Sequence, residues 1–188
     1  MSEVKDITST GWDQHSVVTV LNRALGKKFF DPVPWFIVAG TPAGVLVASL
    51  ASGVAFDAST DEEIGTLFPL TADMDVTKAM TVRLHWSSAG TSATNGCVWD
   101  VNTAGIASET VAVAATKTSA TTLDSATANV RILSEVTIAA DTYAQTDSLI
   151  RLNVNRDANH ASDTVAADVV LHAVELVYTL RPSVTPNA

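Results

Sequence analysis

The sequence predicts an all-β protein, a jelly-roll-like antiparallel β-sandwich entered through a short N-terminal helical arm. Three observations predict it. Apolar residues make up 47% of the 188-residue chain and are mostly Ala and Val, accompanied by many Ser and Thr, and β-branched side chains suit a pleated surface. From Trp35 onward the apolar positions recur with period two, as in strands that bury one face. Clusters of Asn, Asp, Ser and Gly punctuate these runs at intervals that fit roughly eight to ten short strands.

The helix comes first. Val17, Val20, Leu21, Ala24 and Leu25 recur at three- and four-residue spacing and make one apolar face, so the expected helix runs from about Gln14 to Leu25. Asp13 can cap its start, Gly26 can close its end, and Lys27 and Lys28 complement the negative pole of its dipole. In the stretch Phe29-Phe30-Asp31-Pro32-Val33-Pro34-Trp35 two prolines forbid further helix and favour a stiff, extended connector carrying exposed aromatics. A short amphipathic helix is marginal alone, so its face packs either on the sheet domain or on another subunit. The second option makes Val17, Val20, Leu21, Leu25, Phe29, Phe30 and Trp35 the expected assembly interface.

Trp35 to Phe56 carries no charged residue and is long enough to span a bilayer. Pro42 between Gly40 and Gly44, and then Ser49, Ser52 and Gly53, break it, so two strands about a turn are expected. The clearest strand is Met80, Val82, Leu84 and Trp86 alternating with Thr81, Arg83 and His85. Ile150, Leu152 and Val154 alternate with Arg151, Asn153 and Asn155, and Val174, Leu176, Tyr178 and Leu180 form a last stripe that Pro182 ends. Weaker strands are expected at Gly53 to Asp57, Ile64 to Phe68, Cys97 to Val101, Thr110 to Ala114 and Val130 to Ala140. Thr116 to Asn129 is small, polar and weakly patterned and reads as a long exposed loop. The expected organisation is an arm at 1–34, a sandwich at 35–182 and a loose tail at 183–188.

Charge and cysteine content narrow the partners. The net charge is -9, all of it beyond residue 34, because Lys5, Arg23, Lys27 and Lys28 balance Glu3, Asp6, Asp13 and Asp31 in the arm. Such a body repels nucleic acid and anionic lipid, which need clustered Lys and Arg. Cys97 is the single cysteine, so no intrachain disulfide forms, which suits assembly in a reducing cytoplasm. Met1 to Thr10 lacks the basic start and apolar run of a secretory signal.

Catalytic arrangements find no pattern. There is no Gly-x-Ser-x-Gly elbow, the histidines His15, His85, His160 and His172 stand in unrelated contexts, and no glycine-rich phosphate loop precedes a helix. Asp57, Asp61, Glu62 and Glu63 could offer oxygens to calcium but match no defined loop, and Asp73 and Asp75 read as turn residues. Trp86 and Trp99 share strand faces with apolar neighbours and read as core more than as a sugar-stacking platform. No catalytic residue, metal ligand or cofactor site is expected.

The run Phe-Pro-Leu-Thr-Ala-Asp-Met-Asp-Val-Thr-Lys-Ala-Met-Thr-Val-Arg-Leu-His-Trp-Ser-Ser at 68–88, then Gly-Cys-Val-Trp-Asp-Val at 96–101, resembles jelly-roll structural proteins of tailed bacteriophage virions. Leu-His-Ala-Val-Glu-Leu-Val-Tyr at 171–178 looks like the closing strand of such a domain. The resemblance spans about residues 50–180, in strand pattern and not in functional residues. It implies a capsid decoration or cement protein on the capsid surface, assembled in the host cytoplasm. A homo-oligomer, most simply a trimer, would bind the major capsid protein or other virion subunits. The competing expectation is a receptor- or carbohydrate-binding module of a tail fibre or spike, with the loops at Ala89 to Asn95, Thr116 to Asn129 and Asp157 to Asp163 as its recognition end.

Overall fold

In a computed structural model of the chain the described residues are 25–30, 35–46, 52–107, 116–144 and 147–181. They form an antiparallel two-sheet sandwich. Its strands are β1 (Leu25–Phe30), β2 (Phe36–Ala39), β3 (Ala43–Leu46), β4 (Ser52–Phe56), β5 (Glu62–Pro69), β6 (Met80–Ser88), β7 (Gly96–Ile106), β8 (Thr116–Leu123), β9 (Ile132–Ile138), β10 (Leu149–Arg156) and β11 (Val169–Thr179). One sheet runs β3-β4-β11-β6-β9 with β1 also paired to β11, and the other runs β2-β5-β10-β7-β8. From β4 onward the chain changes sheet at each connection except between β7 and β8, so strands distant in sequence become neighbours.

Alternation decides which face each strand buries. Met80, Val82, Leu84 and Trp86 on β6 meet Ile150, Leu152 and Val154 on β10 in one core, together with Val174, Leu176 and Tyr178 on β11. At its centre Trp99 stands edge-on to Phe56, with ring centroids 5.3 Å apart, and to Trp86 at 6.1 Å. The Trp86 indole N–H donates to Ser134 Oγ at 2.8 Å, so this polar atom is satisfied inside the core.

Arg156 continues the inward stripe of β10, and its side chain is fully buried. It survives there because its donors are used: Nη2 reaches Asp163 Oδ1 at 2.9 Å and Val165 O at 2.6 Å, while Nη1 reaches Ala167 O at 3.0 Å and Asp57 O at 3.1 Å. The guanidinium thereby ties the loop after β4 to the long loop between β10 and β11.

Several sequence expectations change. Leu25, expected as the last helical residue, opens β1, whose register runs from Leu25 opposite Thr179 to Phe30 opposite Val174. Leu25 to Phe30, expected as the helix end and the start of the connector, are therefore part of the body's sheet, because the edge of β11 satisfies their backbone better than solvent-exposed chain would. The rest of the expected helix lies outside the described residues. Trp35, expected to be exposed, is 9% exposed and belongs to the core. Thr116 to Leu123, expected as a loop, is the edge strand β8, paired with Gly96 to Thr103. Its β-branched threonines favour extension, but a strand at a sheet edge needs no apolar stripe, so periodicity missed it. The strand expected at Thr110 to Ala114 lies outside the described residues.

The uncharged stretch beginning at Trp35 yields β2, β3 and β4, with β2 in one sheet and the other two in the opposite one. Gly40 makes the corner with a φ of 73°, where a side chain would be strained and would also stand 2.6 Å from Glu62 Cγ. Among the described residues no helix is long and apolar enough to cross a membrane.

Candidate functional site

Of the seven residues expected at an assembly interface, Val17, Val20 and Leu21 lie outside the described residues. Leu25, Phe29 and Phe30 take register positions on β1 beside β11, and Trp35 is packed in the core.

Among the described residues the histidines do not assemble a nucleophilic site. Ser87 Oγ lies 2.9 Å from His172 Nε2, yet Ser87 is 1% exposed and His172 Nδ1 has no hydrogen-bond partner to orient the ring. His85 sits on the outer side of β6, and burial first, then Arg131, lower its pKa below the ordinary value. His160 is on the loop after β10, where its Nδ1 accepts from the Ser162 backbone.

The acidic cluster is dispersed over structural tasks. Glu62 is 3% exposed and accepts from the backbone N–H groups of Thr41 and Asp57 at 3.0 and 2.7 Å. Asp61 accepts from the Asn159 backbone, and Asp57 holds Ser59, whose hydroxyl and backbone N–H lower the Asp57 pKa. A cleft of about 200 Å³ lined by Thr41, Ala55, Asp57, Thr60, Glu62 and Asp168 lies here. Among the described residues no three His, Cys, Asp or Glu side chains converge as a metal site. Asp75 likewise caps Thr77 in its turn.

Two of the expected recognition stretches do meet, where Asp124 N–H donates to Asn95 O at 2.8 Å. Beside them the loop after β10 is tied to the first residue of β7, as Gly96 N–H donates to Thr164 Oγ1 at 2.9 Å and Thr164 N–H to Gly96 O at 2.7 Å. Ser88 donates to Asp124 Oδ2 at 2.7 Å and pins the end of β8 to them.

The concentration of polar side chains lies elsewhere, on the outer face of the five-stranded sheet. Because Ile150, Leu152 and Val154 point inward, Arg151, Asn153 and Asn155 point outward. The register places Gly65 and Asn102 beside Asn153, Glu63 and Asp100 beside Asn155, and Leu67 and Ala104 beside Arg151. Lys117 and Ser119 on β8 continue the Asn102 and Asp100 rows.

Part of this face is internally paired. Asn102 Nδ2 donates to Glu63 Oε1 at 3.0 Å, a bridge that crosses β10. Lys117 Nζ lies 2.5 Å from Asp100 Oδ2 and 3.6 Å from Asp157, and these carboxylates raise its pKa. Ser119 Oγ donates to Asp100 Oδ1 at 2.5 Å. Asn153, only 5% exposed, has its Oδ1 without a partner, and so has the shielded Nε of Arg151. The polar alternation of β10 is visible in the sequence, but its neighbours come from β5 and β7, so sequence reasoning placed recognition on loops instead.

The chain matches no family profile and no curated protein. Among solved structures it is similar to an arabinose-bound MgGH51 α-L-arabinofuranosidase, with 12% identity and a TM-score of 0.50 over 78% of this chain. The chain spans 25% of that enzyme's length. It is also similar to a xylan-binding module (15% identity, TM-score 0.46, 81% of this chain and 96% of that one). A family 11 carbohydrate-binding module of the cellulosomal cellulase Lic26A-Cel5E of Clostridium thermocellum has 13% identity and a TM-score of 0.45 over 84% of this chain and 98% of that one. At such identities the likeness is one of fold.

Proposed function

We propose that this chain is a non-catalytic recognition module, a jelly-roll-like sandwich whose five-stranded sheet holds a carbohydrate on its outer face. The observation that carries the reading is the β10 row, where Arg151, Asn153 and Asn155 lie at the centre of a polar floor extended by Asn102 and Glu63. Sugar hydroxyls both donate and accept, and amide side chains do the same, so a floor of amides suits a polyhydroxylated ligand better than an apolar one. Strand spacing of about 4.8 Å sets these groups in a regular grid that can follow successive rings. Backbone pairing on both sides of β10 holds them rigid, so little ordering is needed when a ligand arrives.

Calorimetry against soluble polysaccharides tests the reading. The native chain is expected to bind at least one of them, and Asn153→Ala with Asn102→Ala is expected to weaken that binding at least tenfold without loss of the folded state. Binding that survives both substitutions would move the site off this face.

A second reading, a virion structural protein assembled as a symmetric oligomer, draws on another surface. Leu123, Val130 and Leu133, which are 59%, 43% and 42% exposed, lie along the edge formed by β8, its connection to β9, and β9 itself. Apolar exposure of this kind fits contact with a second copy. Light scattering after size exclusion distinguishes the two readings: a trimer that Leu133→Lys dissociates supports assembly, and a monomer removes it.

A further inference from the structure

We propose that the ligand held on the five-stranded sheet carries an isolated acidic group, a sugar carboxylate, and that Arg151 is the residue that reads it. The inference rests on the reading of this face as a carbohydrate site.

Several cations of the described body are paired with carboxylates, and among those that are not, Arg151 is the one with a shielded N–H that meets no acceptor. Arg83 meets Glu135 at 2.7 Å, Arg156 meets Asp163 at 2.9 Å, and Lys117 is shared between Asp100 and Asp157. Arg131 lies 3.3 Å from His85 Nδ1. Arg151 has no carboxylate within ion-pair distance among the described residues, and its Nε–H is shielded from water without an acceptor. Its flanking positions on the sheet are Leu67 and Ala104, which offer neither charge nor hydrogen bond.

An unmet donor on a guanidinium in a half-buried place is costly, and a carboxylate, accepting two parallel N–H bonds, is the group whose geometry relieves it best. The neighbouring unmet atom is of the opposite kind. Asn153 Oδ1 needs a donor, and it lies two residues along β10, roughly 7 Å away at the usual rise per residue. A uronic acid supplies both, with its carboxylate for Arg151 and a hydroxyl for Asn153.

The chain's net charge of -9 limits the density of acid on that ligand. Glu63, Asp100 and Asp157 occupy the far rows of the same face, so a closely charged polyanion would be repelled while one acidic ring over Arg151 would not.

The experiment uses the full chain and a panel of uronate oligosaccharides (glucuronate, galacturonate and mannuronate), each beside its carboxyl-reduced neutral counterpart. At least one acidic member is expected to bind ten times more tightly than its reduced form, and Arg151→Gln is expected to erase that preference while the unfolding midpoint stays unchanged. Equal binding of acidic and reduced forms, or a preference that survives Arg151→Gln, overturns the proposal while leaving the carbohydrate reading in place. If neither these pairs nor any neutral polysaccharide binds, the carbohydrate reading and this proposal fall together.

Discussion

Arg156 and Asp163 form an ion pair that the sandwich keeps out of water, with Nη2 and Oδ1 2.9 Å apart and side chains 0% and 1% exposed. Asp163 Oδ2 also accepts from the Val98 backbone at 3.0 Å, so one carboxylate joins β7, β10 and the following loop. Removing one partner of such a pair strands the other charge in a low-dielectric interior. Asp163→Asn is therefore expected to cost about 3–5 kcal/mol, measured by urea unfolding. A loss below about 1 kcal/mol would mean that the loop opens and lets water reach the guanidinium.

Ser134 has the same role toward Trp86. Ser134→Ala leaves the buried indole N–H without an acceptor, and the expected loss is about 1–3 kcal/mol. Near-ultraviolet circular dichroism should retain its tryptophan signal, because Trp99 still packs edge-on against the Trp86 ring.

His85 and the exposed aspartates all lose stability as pH falls, but in different windows. Burial is the largest cause lowering the His85 pKa from 6.5, Arg131 adds to it, and Glu175 opposes both without prevailing. The unfolded chain then takes up this proton more readily, so stability falls as pH drops below about 6.5 and the full loss is reached below the folded value. His85→Gln is expected to flatten the stability profile between neutral and mildly acid pH. Asp57 and Asp75, lowered from 3.8 chiefly by hydrogen bonds from Ser59 and Thr77, contribute stability above that value and lose it only at stronger acid.

Cys97 lies fully buried on β7, and burial pushes its thiol pKa up. A thiolate-seeking disulfide reagent is expected to leave the native protein unmodified at neutral pH and to titrate one thiol after denaturation. Rapid reaction of the native chain would show that β7 opens locally.

What could be read without a structure was what depends on a residue's near neighbours in the chain. Alternation on β6, β10 and β11 identified inward and outward positions correctly, from Met80 and Trp86 to Arg151 and Asn155, because a strand's side chains change face at every residue. The same logic recognised Asp75 as a turn residue and Trp86 and Trp99 as core. It failed where local pattern was absent or misleading, at β8 with its small polar residues and at Leu25, whose helical spacing is overridden by pairing with Thr179.

By itself, then, the sequence determined an all-β sandwich, the inward face of each strongly patterned strand and the absence of a recognisable catalytic motif. Tertiary structure alone decided which outward faces meet. Asn102 joins Glu63 across 39 residues, and Arg156 reaches Phe56 across 100. The physical reason is that face alternation is a property of one strand's backbone, whereas register depends on which distant edge satisfies its hydrogen bonds. The candidate site exists only after β5, β10 and β7 have found one another.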